Sequence, residues 1–357
     1  MWFSGFTTVR EDARLTSLAH ADTTIGGAPW FVWVVISFAV VGISFAGALL
    51  QQLDEIPPIM RACWRLTLTS FMLVPLGIVD YIKWKDENKI KMRELKTWGI
   101  IVASALVLAI HFAGWVASLD LTSLAHSLLF TTSHPLLILA GSAIFVRIPT
   151  KLEIIGGIVG MVGAGVTLID IRDDKEVTAE GDALAFLGAA MIVFHIAAGK
   201  TLRYWMPTFV YAFPVTLFAA GFLAIFSVMF DEGAAVFGWA TSPKVGWFVL
   251  LAFVSGIVGH TGFNFALGYV SPIVVSISTT LEPVVGTFLG WIIYDSSVPG
   301  LWTILGGPLL LIGILCVILG SERAAQEGEE RNDNNDAAEQ RITNQVDEEL
   351  EQPGIAV

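Results

Sequence analysis

The sequence has little charge and almost no cysteine. Only 15% of its 357 residues are charged, whereas a soluble domain is typically about 25% charged. Its hydrophobic content is 55% and its mean hydropathy is +0.71. At about 20 apolar residues per crossing of a bilayer, the chain has material for about ten membrane spans and little else. We therefore expect an integral membrane protein and exclude a large soluble catalytic domain.

Several signatures of other protein classes are also missing. The two cysteines, Cys63 and Cys316, lie in apolar runs and imply no disulfide framework. The chain has no glycine-rich phosphate loop, no convincing metal-ligand spacing and no nucleophile paired with a base. We accordingly expect no enzyme activity, no catalytic residue, no cofactor, no metal and no nucleic-acid partner. The segment 1–29 does not have the pattern of a cleaved signal peptide.

The net charge of −12 arises mostly in one segment. From Ser321 to Val357 there are eleven acidic residues and three arginines, which accounts for −8 of that charge. This segment has no aromatic residue and few aliphatic ones, so it cannot bury enough surface to offset the entropy of ordering. We predict a disordered, solvated tail over 321–357, with docking to a partner as the alternative.

Apolar runs of helical length occupy most of the remaining chain. Backbone groups facing lipid must be hydrogen-bonded within the segment, and the runs lack the alternation of barrel strands, so helices are predicted. The ten predicted spans are 30–52, 57–80, 98–119, 122–146, 152–170, 182–199, 206–230, 246–268, 271–294 and 299–320. With a cytosolic N-terminus, fifteen Lys and Arg fall inside and three outside. This bias predicts that both termini are cytosolic; whether the membrane is the plasma membrane or an endomembrane stays open.

The two halves of the chain resemble each other. An offset of 148 aligns Thr131 with Thr279 and Pro135 with Pro283, and an offset of 150 aligns Gly163 with Gly313. Five spans followed by five spans place the second copy upside down, as in the inverted repeats of secondary transporters. Chance alignment of apolar runs is the alternative. The predicted organisation is a cytosolic segment, two five-helix repeats and a tail, at 1–29, 30–171, 181–320 and 321–357.

Three segments give the resemblance a family. TTLEPVVGTFLG at 279–290 resembles the ninth-helix signature of EamA-type members of the drug/metabolite transporter superfamily. CWRLTLTSFMLVPL at 63–76 is similar to that family's second helix, with Arg65 in the matching place. The stretch from His126 to Phe145 resembles its fourth helix, with Pro135 at the midpoint. The similarity covers about residues 30–320. It departs before the tenth span, where Asp295 is the only acid to set against Glu153 of the fifth.

The resemblance implies a solute carrier with a central cavity lined mainly by its first, third, fourth, sixth, eighth and ninth helices. The family's substrates are too diverse for membership to name one.

Polar residues inside the spans are the candidate cavity residues. An ionisable group within a membrane is costly and therefore a functional candidate, although packing between helices is the plainer alternative. His111 and Trp115 share a helical face, as do His260 and Asn264. The repeat makes His111 and His260 near-equivalent, so we expect them on opposite walls. The substrate-cavity candidates are His111, Trp115, His134, His195, His260 and Asn264.

A second set of residues is assigned to coupling, gating or structure. His134 precedes Pro135 and Glu282 precedes Pro283, and each proline removes a backbone donor and permits bending. Glu282 could carry a coupling proton if it is unpaired, or play a structural or gating role, which we favour, if Arg61 or Arg65 pairs with it. Arg61 and Arg65 are interpreted as structural charges.

The predicted function is secondary-active transport of a small organic solute by alternating access. Because the eighth and ninth spans contain no Lys or Arg, we expect a neutral, zwitterionic or weakly basic metabolite such as an amino acid. The alternatives are a carrier of phosphorylated or nucleotide sugars and a non-transporting subunit of a larger assembly. A homodimer is one candidate assembly.

Overall fold

The computed structural model describes residues 24–25, 28–122, 124–145, 147–169, 177–294 and 300–351. A short antiparallel pair of strands, β1 (Thr24–Ile25) and β2 (Ala28–Pro29), precedes the first helix. The predicted segment 1–29 otherwise lies outside these residues, as does the predicted boundary between the two repeats at 171.

Helices account for nearly all of the described chain. The first half contains α1 (Trp30–Ser44), α2 (Ala46–Gln51), α3 (Pro58–Lys83), α4 (Asp86–Lys91), α5 (Leu95–Leu121), α6 (Leu124–Thr131), α7 (His134–Phe145) and α8 (Lys151–Leu168). The second half contains α9 (Ala179–Arg203), α10 (Thr208–Met229), a 3₁₀ turn (Gly238–Ala240), α11 (Val245–Leu251), a π-helical stretch (Ala252–Thr261), α12 (Gly262–Ala266), α13 (Pro272–Thr279), α14 (Glu282–Tyr294) and α15 (Leu301–Glu351).

The apolar composition of these helices fits a lipid environment. Seven helical segments of the described chain are long and apolar enough to cross a membrane, and two shorter apolar segments accompany them. Large apolar side chains such as Phe38, Ile82 and Ile144 point outward and are more than half exposed. A water-soluble surface does not display apolar side chains in this density. The chain is an all-α integral membrane protein, as its composition predicts.

Two helical segments are interrupted at corresponding places. Thr132 and Ser133 form a turn between α6 and α7, and Thr280 and Leu281 form one between α13 and α14. A proline stands second in the helix after each turn, where the missing N–H costs little. Each turn therefore directly precedes a proline that the sequence repeat aligns.

Most helices pack beside one dominant partner. The most extensive contacts join α8 with α15, α5 with α9, α3 with α10, α5 with α10, and α1 with the π-helical stretch. Buried aliphatic and aromatic side chains from both halves form one continuous core.

Glycine permits the closest of these approaches. A Cβ atom at Gly156 would lie 2.6 Å from the carbonyl oxygen of Gly313, and one at Gly163 would lie 2.9 Å from that of Gly306. Only glycine lets the backbones of α8 and α15 come so near.

The acidic tail differs from its prediction. The last helix does not end with the apolar residues near Gly320 but continues to Glu351. Alanine, glutamate, glutamine and arginine are abundant there, and all four have high intrinsic helix propensity. The prediction of a disordered tail considered only the lack of apolar surface to bury. A helix that continues from an existing one avoids the cost of nucleation.

Candidate substrate cavity

A cavity of about 700 Å³ lies among the helices. All six cavity candidates lie on its wall together with Glu282; further wall residues include Thr131, Thr132, Thr279, Ile43, Ile192, Ile196, Phe263 and Val275. The wall is mostly apolar with a few polar groups directed inward, and both halves of the chain contribute to it.

His111 and His260 both contact one aromatic ring, that of Phe112. The ring centroid of Phe112 lies 5.0 Å from that of His111 and 5.1 Å from that of His260. His111 donates through Nδ1 to the carbonyl oxygen of Gly188, 2.8 Å away, and stacks on Trp115. Within the described residues, His260 makes no hydrogen bond. The ring of His111 is thus held by the protein, whereas that of His260 has hydrogen-bonding capacity to spare.

The other two cavity histidines are held by hydroxyl groups. His134 hydrogen-bonds Ser276 through Nδ1 and Thr279 through Nε2, the latter at 3.1 Å. His195 Nδ1 lies 2.9 Å from Ser104 Oγ, which is 3.0 Å from the hydroxyl of Tyr211. Each of these histidines joins two helices and also faces the cavity. Packing and ligand contact are therefore compatible roles for them.

Glu282 lies at the turn between α13 and α14 and faces the cavity. It forms no ion pair and no hydrogen bond among the residues that the structure describes, although it interacts electrostatically with Arg65. Pro135 and Pro283 are buried beside the two turns. Carbonyl oxygens at the turns accept bonds from hydroxyl groups, for example Ile277 O from Thr280 Oγ1 at 2.6 Å and Leu128 O from Thr132 Oγ1 at 2.7 Å. These carbonyls are already hydrogen-bonded within the protein.

The two arginines of α3 have different surroundings. Arg61 is fully buried, forms an ion pair with Asp120, and donates to the carbonyl oxygen of Leu50 at 2.9 Å. Arg65, one turn further along, is also buried, but no hydrogen bond to its guanidinium exists within the described chain. Arg65 lies beside a second cavity of about 350 Å³, which shares His195, His260 and Asn264 with the first.

Three hydroxyl-bearing wall residues escaped the sequence prediction, namely Thr131, Thr132 and Thr279. The repeat alignment already placed two threonines immediately before each helical turn. Hydroxyls at a helix break are natural partners for freed carbonyls and for ligands. That alignment was the available signal.

Charged groups near the ends of the helices are bound to the protein. Lys200 donates to the carbonyl oxygens of Leu267 and Val270, both at 3.0 Å. Arg203 donates to the carbonyl oxygens of Asn264 and Met206. These cations close helix ends, so they do not offer free donors to the cavity.

Two acids at helix starts are bound in a similar way. Glu153 accepts hydrogen bonds from both terminal nitrogens of Arg147, at 2.6 and 2.8 Å. Glu232 accepts the backbone N–H groups of Ile59 and Met60 at the start of α3. Burial raises the pKa of Glu232 above its ordinary value, and these two hydrogen bonds offset the rise only in part.

Comparisons with known proteins support the family resemblance. Residues 179–319 match the model of the EamA-like transporter family. No curated protein sequence matches the chain. A crystal structure described only as that of a protein has the same fold, with a TM-score of 0.66 and 17% sequence identity, over 82% of this chain and 99% of the other. At that identity the likeness shows the fold alone. Over residues 179–319, this chain is therefore similar to the EamA-like transporter family.

Proposed function

We propose that the protein is a secondary-active transporter that moves a small organic solute by alternating access. The observation that carries this proposal is a cavity lined by polar side chains from both halves and bordered by the two helical turns at 132–133 and 280–281. Broken helices around a central site are how many secondary transporters bind substrate. Both termini are assigned to the cytosol on the distribution of Lys and Arg.

The proposal includes ten membrane crossings arranged as two inverted repeats. Each predicted apolar run coincides with a helix or with a consecutive set of helices, so the element bounds favour ten crossings. Exchanging every helix for its counterpart in the other half leaves the dominant packing pairs unchanged: for example, the third span with the sixth becomes the eighth with the first. Packing pairs that are unchanged by this exchange are expected when two repeats are related by a two-fold axis.

The glycine contacts obey the same exchange. The repeat offset of 150 converts the approach of Gly156 to Gly313 into the approach of Gly306 to Gly163. Chance similarity of apolar runs would align the residues without making their contacts reciprocal. Reciprocal contacts therefore favour an internal repeat over chance.

The cavity wall favours a neutral, zwitterionic or weakly basic substrate such as an amino acid. Imidazoles, hydroxyls and one carboxyl provide hydrogen bonds among apolar side chains. A phosphorylated or nucleotide sugar would require several free cations. Lys200 and Arg203 are committed to backbone carbonyls, which leaves too little positive charge for a phosphate dianion.

The direct test is a flux assay. Full-length protein is purified in detergent and screened by thermal shift against amino acids, nucleosides, sugars, sugar phosphates and amines, because a ligand of the folded state raises its apparent stability. The compounds that shift the protein are then tested for exchange in proteoliposomes. Saturable counterflow of an amino acid or amine is the expected result. Silence across the panel, with purification only as a stable hetero-complex, would favour the non-transporting subunit; the same purification shows whether the protein is a homodimer.

Proton coupling through Glu282 is a separate part of the proposal. Its carboxyl faces the cavity along with His111, His134, His195 and His260, and it interacts with the charge of Arg65. Glu282→Gln keeps the shape but cannot release a proton, so we expect uptake that no longer responds to a pH gradient. His134→Asn is the matched control in the same wall. A folded Glu282→Gln protein with unchanged pH dependence would leave this residue a structural or gating role.

A further inference from the structure

Arg65 is a buried cation without a hydrogen-bonding partner. Its side chain is 1% exposed, and its three guanidinium nitrogens have no acceptor among the described residues. An isolated buried charge is strongly unfavourable, and proteins normally pair it or neutralise it. An arginine remains charged in proteins. Five N–H donors are therefore held ready for an acceptor that the described chain does not provide.

The surroundings of Arg65 position this charge without satisfying it. Its Cζ atom lies 4.6 Å from the ring centroid of Phe112 and 5.9 Å from that of Trp115. Aromatic faces attract the guanidinium but accept no strong hydrogen bond from it. The indole N–H of Trp115 is also buried without a partner in the described chain. Arg65 thus borders the smaller cavity and Trp115 the larger one, and the two cavities share His195, His260 and Asn264.

Glu282 does not fill the role of partner. It faces the larger cavity and interacts with Arg65 electrostatically, but no ion pair joins them among the described contacts. The neighbouring Arg61 has Asp120 and the carbonyl of Leu50 as acceptors. Among the described residues, both terminal nitrogens of Arg61 have acceptors and only its Nε lacks one, whereas no guanidinium nitrogen of Arg65, one turn further along beside a cavity, has an acceptor.

We propose that Arg65 is the anion subsite of the cavity and binds the carboxylate of the transported solute, with Trp115 Nε1 as a second donor. This inference rests on the proposed function and narrows its substrate class to compounds that carry a carboxylate. A guanidinium and a carboxylate fit one another through two parallel hydrogen bonds. The imidazole of His260 and the side chain of Asn264 border both cavities and face the remainder of the solute.

A carboxylate fits better than a phosphate at this position. Arg65 supplies one unpaired positive charge, which matches a monoanion. In its ionised form, the carboxyl of Glu282 in the adjoining cavity would repel a dianion and would attract an ammonium group. An amino acid satisfies both ends, and apolar wall residues such as Ile192 and Phe263 face its side chain.

The guanidinium nitrogens are covered in this conformation. Their atoms have almost no accessible surface, and the rings of Phe112 and Trp115 lie against them. A solute reaches Arg65 when these rings or the helices that carry them move. Alternating access requires such rearrangements around a central site.

The test compares ligands that differ only in the carboxylate. The full chain in detergent is titrated by thermal shift with L-phenylalanine, L-phenylalaninamide, phenethylamine and 3-phenylpropanoate, and with the leucine analogues of the first three; glucose 6-phosphate is the phosphate probe. We expect the free carboxylates to bind at least about tenfold more tightly than the amide and amines. Equal affinities, silence of all carboxylates, or a stronger response to the phosphate would overturn the proposal.

Variants of the two arginines locate the effect. Arg65→Met is expected to fold and to lose the preference for the carboxylate, while Arg65→Lys retains a charge without the planar fork and should weaken carboxylate binding only. Arg61→Met is the matched control, expected to lower the melting temperature and to keep the preference. Retention of the preference in both Arg65 variants would overturn the assignment, as would its loss in Arg61→Met.

Failure of the subsite and failure of the transport function remain separable. In proteoliposomes, Arg65-dependent binding of L-phenylalanine without movement would refute transport and keep the anion subsite. Counterflow of phenethylamine that is unaffected in Arg65→Met, combined with no carboxylate binding, would keep the carrier and remove the subsite.

Discussion

Buried polar groups near the ends of the helices differ in their hydrogen bonding from those around the cavity. At the ends, Arg61 and Arg203 are bonded to acceptors of the protein, and Glu153 and Glu232 accept N–H donors. Around the cavity, the side chains of Arg65, Trp115 and Glu282 and the hydroxyl of Thr131 lack a hydrogen-bond partner in the described chain. Saturated groups hold the helices together, whereas unsaturated ones retain bonding capacity for a ligand.

This contrast explains why burial alone identifies no function. Arg61 and Arg65 are equally buried, lie on one helix and differ in position by one turn. Breaking a saturated contact should lower stability, and altering an unsaturated group should change ligand response. Four substitutions at other positions, in three experiments, test this division.

The largest stability effect is expected for Arg147→Met at a helix start. The side chain of Glu153 is 1% exposed and accepts hydrogen bonds from both terminal nitrogens of Arg147. The side chain of Arg147 is 39% exposed. Removing the arginine leaves a buried carboxylate with Thr150 as its remaining partner. We expect a loss of about 2 kcal/mol, below the value for a fully buried pair because Arg147 is partly screened by solvent. Thermal unfolding in detergent measures it.

Lys151→Met is the matched control for that change. Lys151 begins the same helix, is exposed, and its substitution should alter stability by no more than about 0.5 kcal/mol. Equal losses in the two variants would show that the Arg147–Glu153 pair is not a structural contact.

A smaller effect is expected from two histidines of the cavity. His134→Ala removes hydrogen bonds to Ser276 and Thr279, and interhelical bonds of this kind contribute about 0.6 kcal/mol each. His260→Ala removes the same number of atoms but no hydrogen bond of the described chain. We therefore expect a loss larger by about 1 kcal/mol in His134→Ala, and a larger loss of ligand-induced thermal shift in His260→Ala. The reverse order in both measurements would contradict the division.

Features of the fold and the cavity that depend on residues close together in the sequence could be predicted, whereas contacts between residues far apart in the sequence could not. The apolar runs, the prolines that follow the two helical turns, and the placement of His111 and His260 at one cavity all follow from spacing along one helix or from the repeat. The distinct fates of Arg61 and Arg65 do not. Arg61 pairs with Asp120, which is about sixty residues away in the sequence. Arg65, one turn further along the helix, lies against the rings of Phe112 and Trp115 instead. The sequence assigned both arginines to structure because their local contexts are alike.

Two other features, the π-helical stretch and the length of the last helix, depend on local hydrogen bonding and on helix propensity. The π-helical stretch at 252–261 carries His260, and Thr261 Oγ1 donates to the carbonyl of Gly256 five residues earlier. Its counterpart in α5 is regular, so the repeat does not predict it. The continuation of α15 into the acidic segment likewise reflects helix propensity. A lack of apolar surface, from which a disordered tail is predicted, does not account for that propensity.

The smallest expected effect concerns pH and the acid at the start of α3. Because burial raises the pKa of Glu232 above its ordinary value of 4.5, the folded protein binds this proton more tightly than the unfolded chain. The free energy of unfolding should therefore fall as the pH rises through the interval above 4.5. Glu232→Gln cannot ionise, so its stability should gain on that of the parent protein over the same interval.

Melting temperatures between about pH 4 and pH 6.5 measure this difference, with Glu55→Gln, which removes an exposed carboxyl, as the reference. Glu232 is only half-buried, so solvent screening keeps the effect small. An opposite slope would mean that the hydrogen bonds from Ile59 and Met60 and the attraction of Arg61 outweigh burial. Glu232 would then be stabilised as a full charge, and the saturation of polar groups near the helix ends would be stronger than its burial indicates.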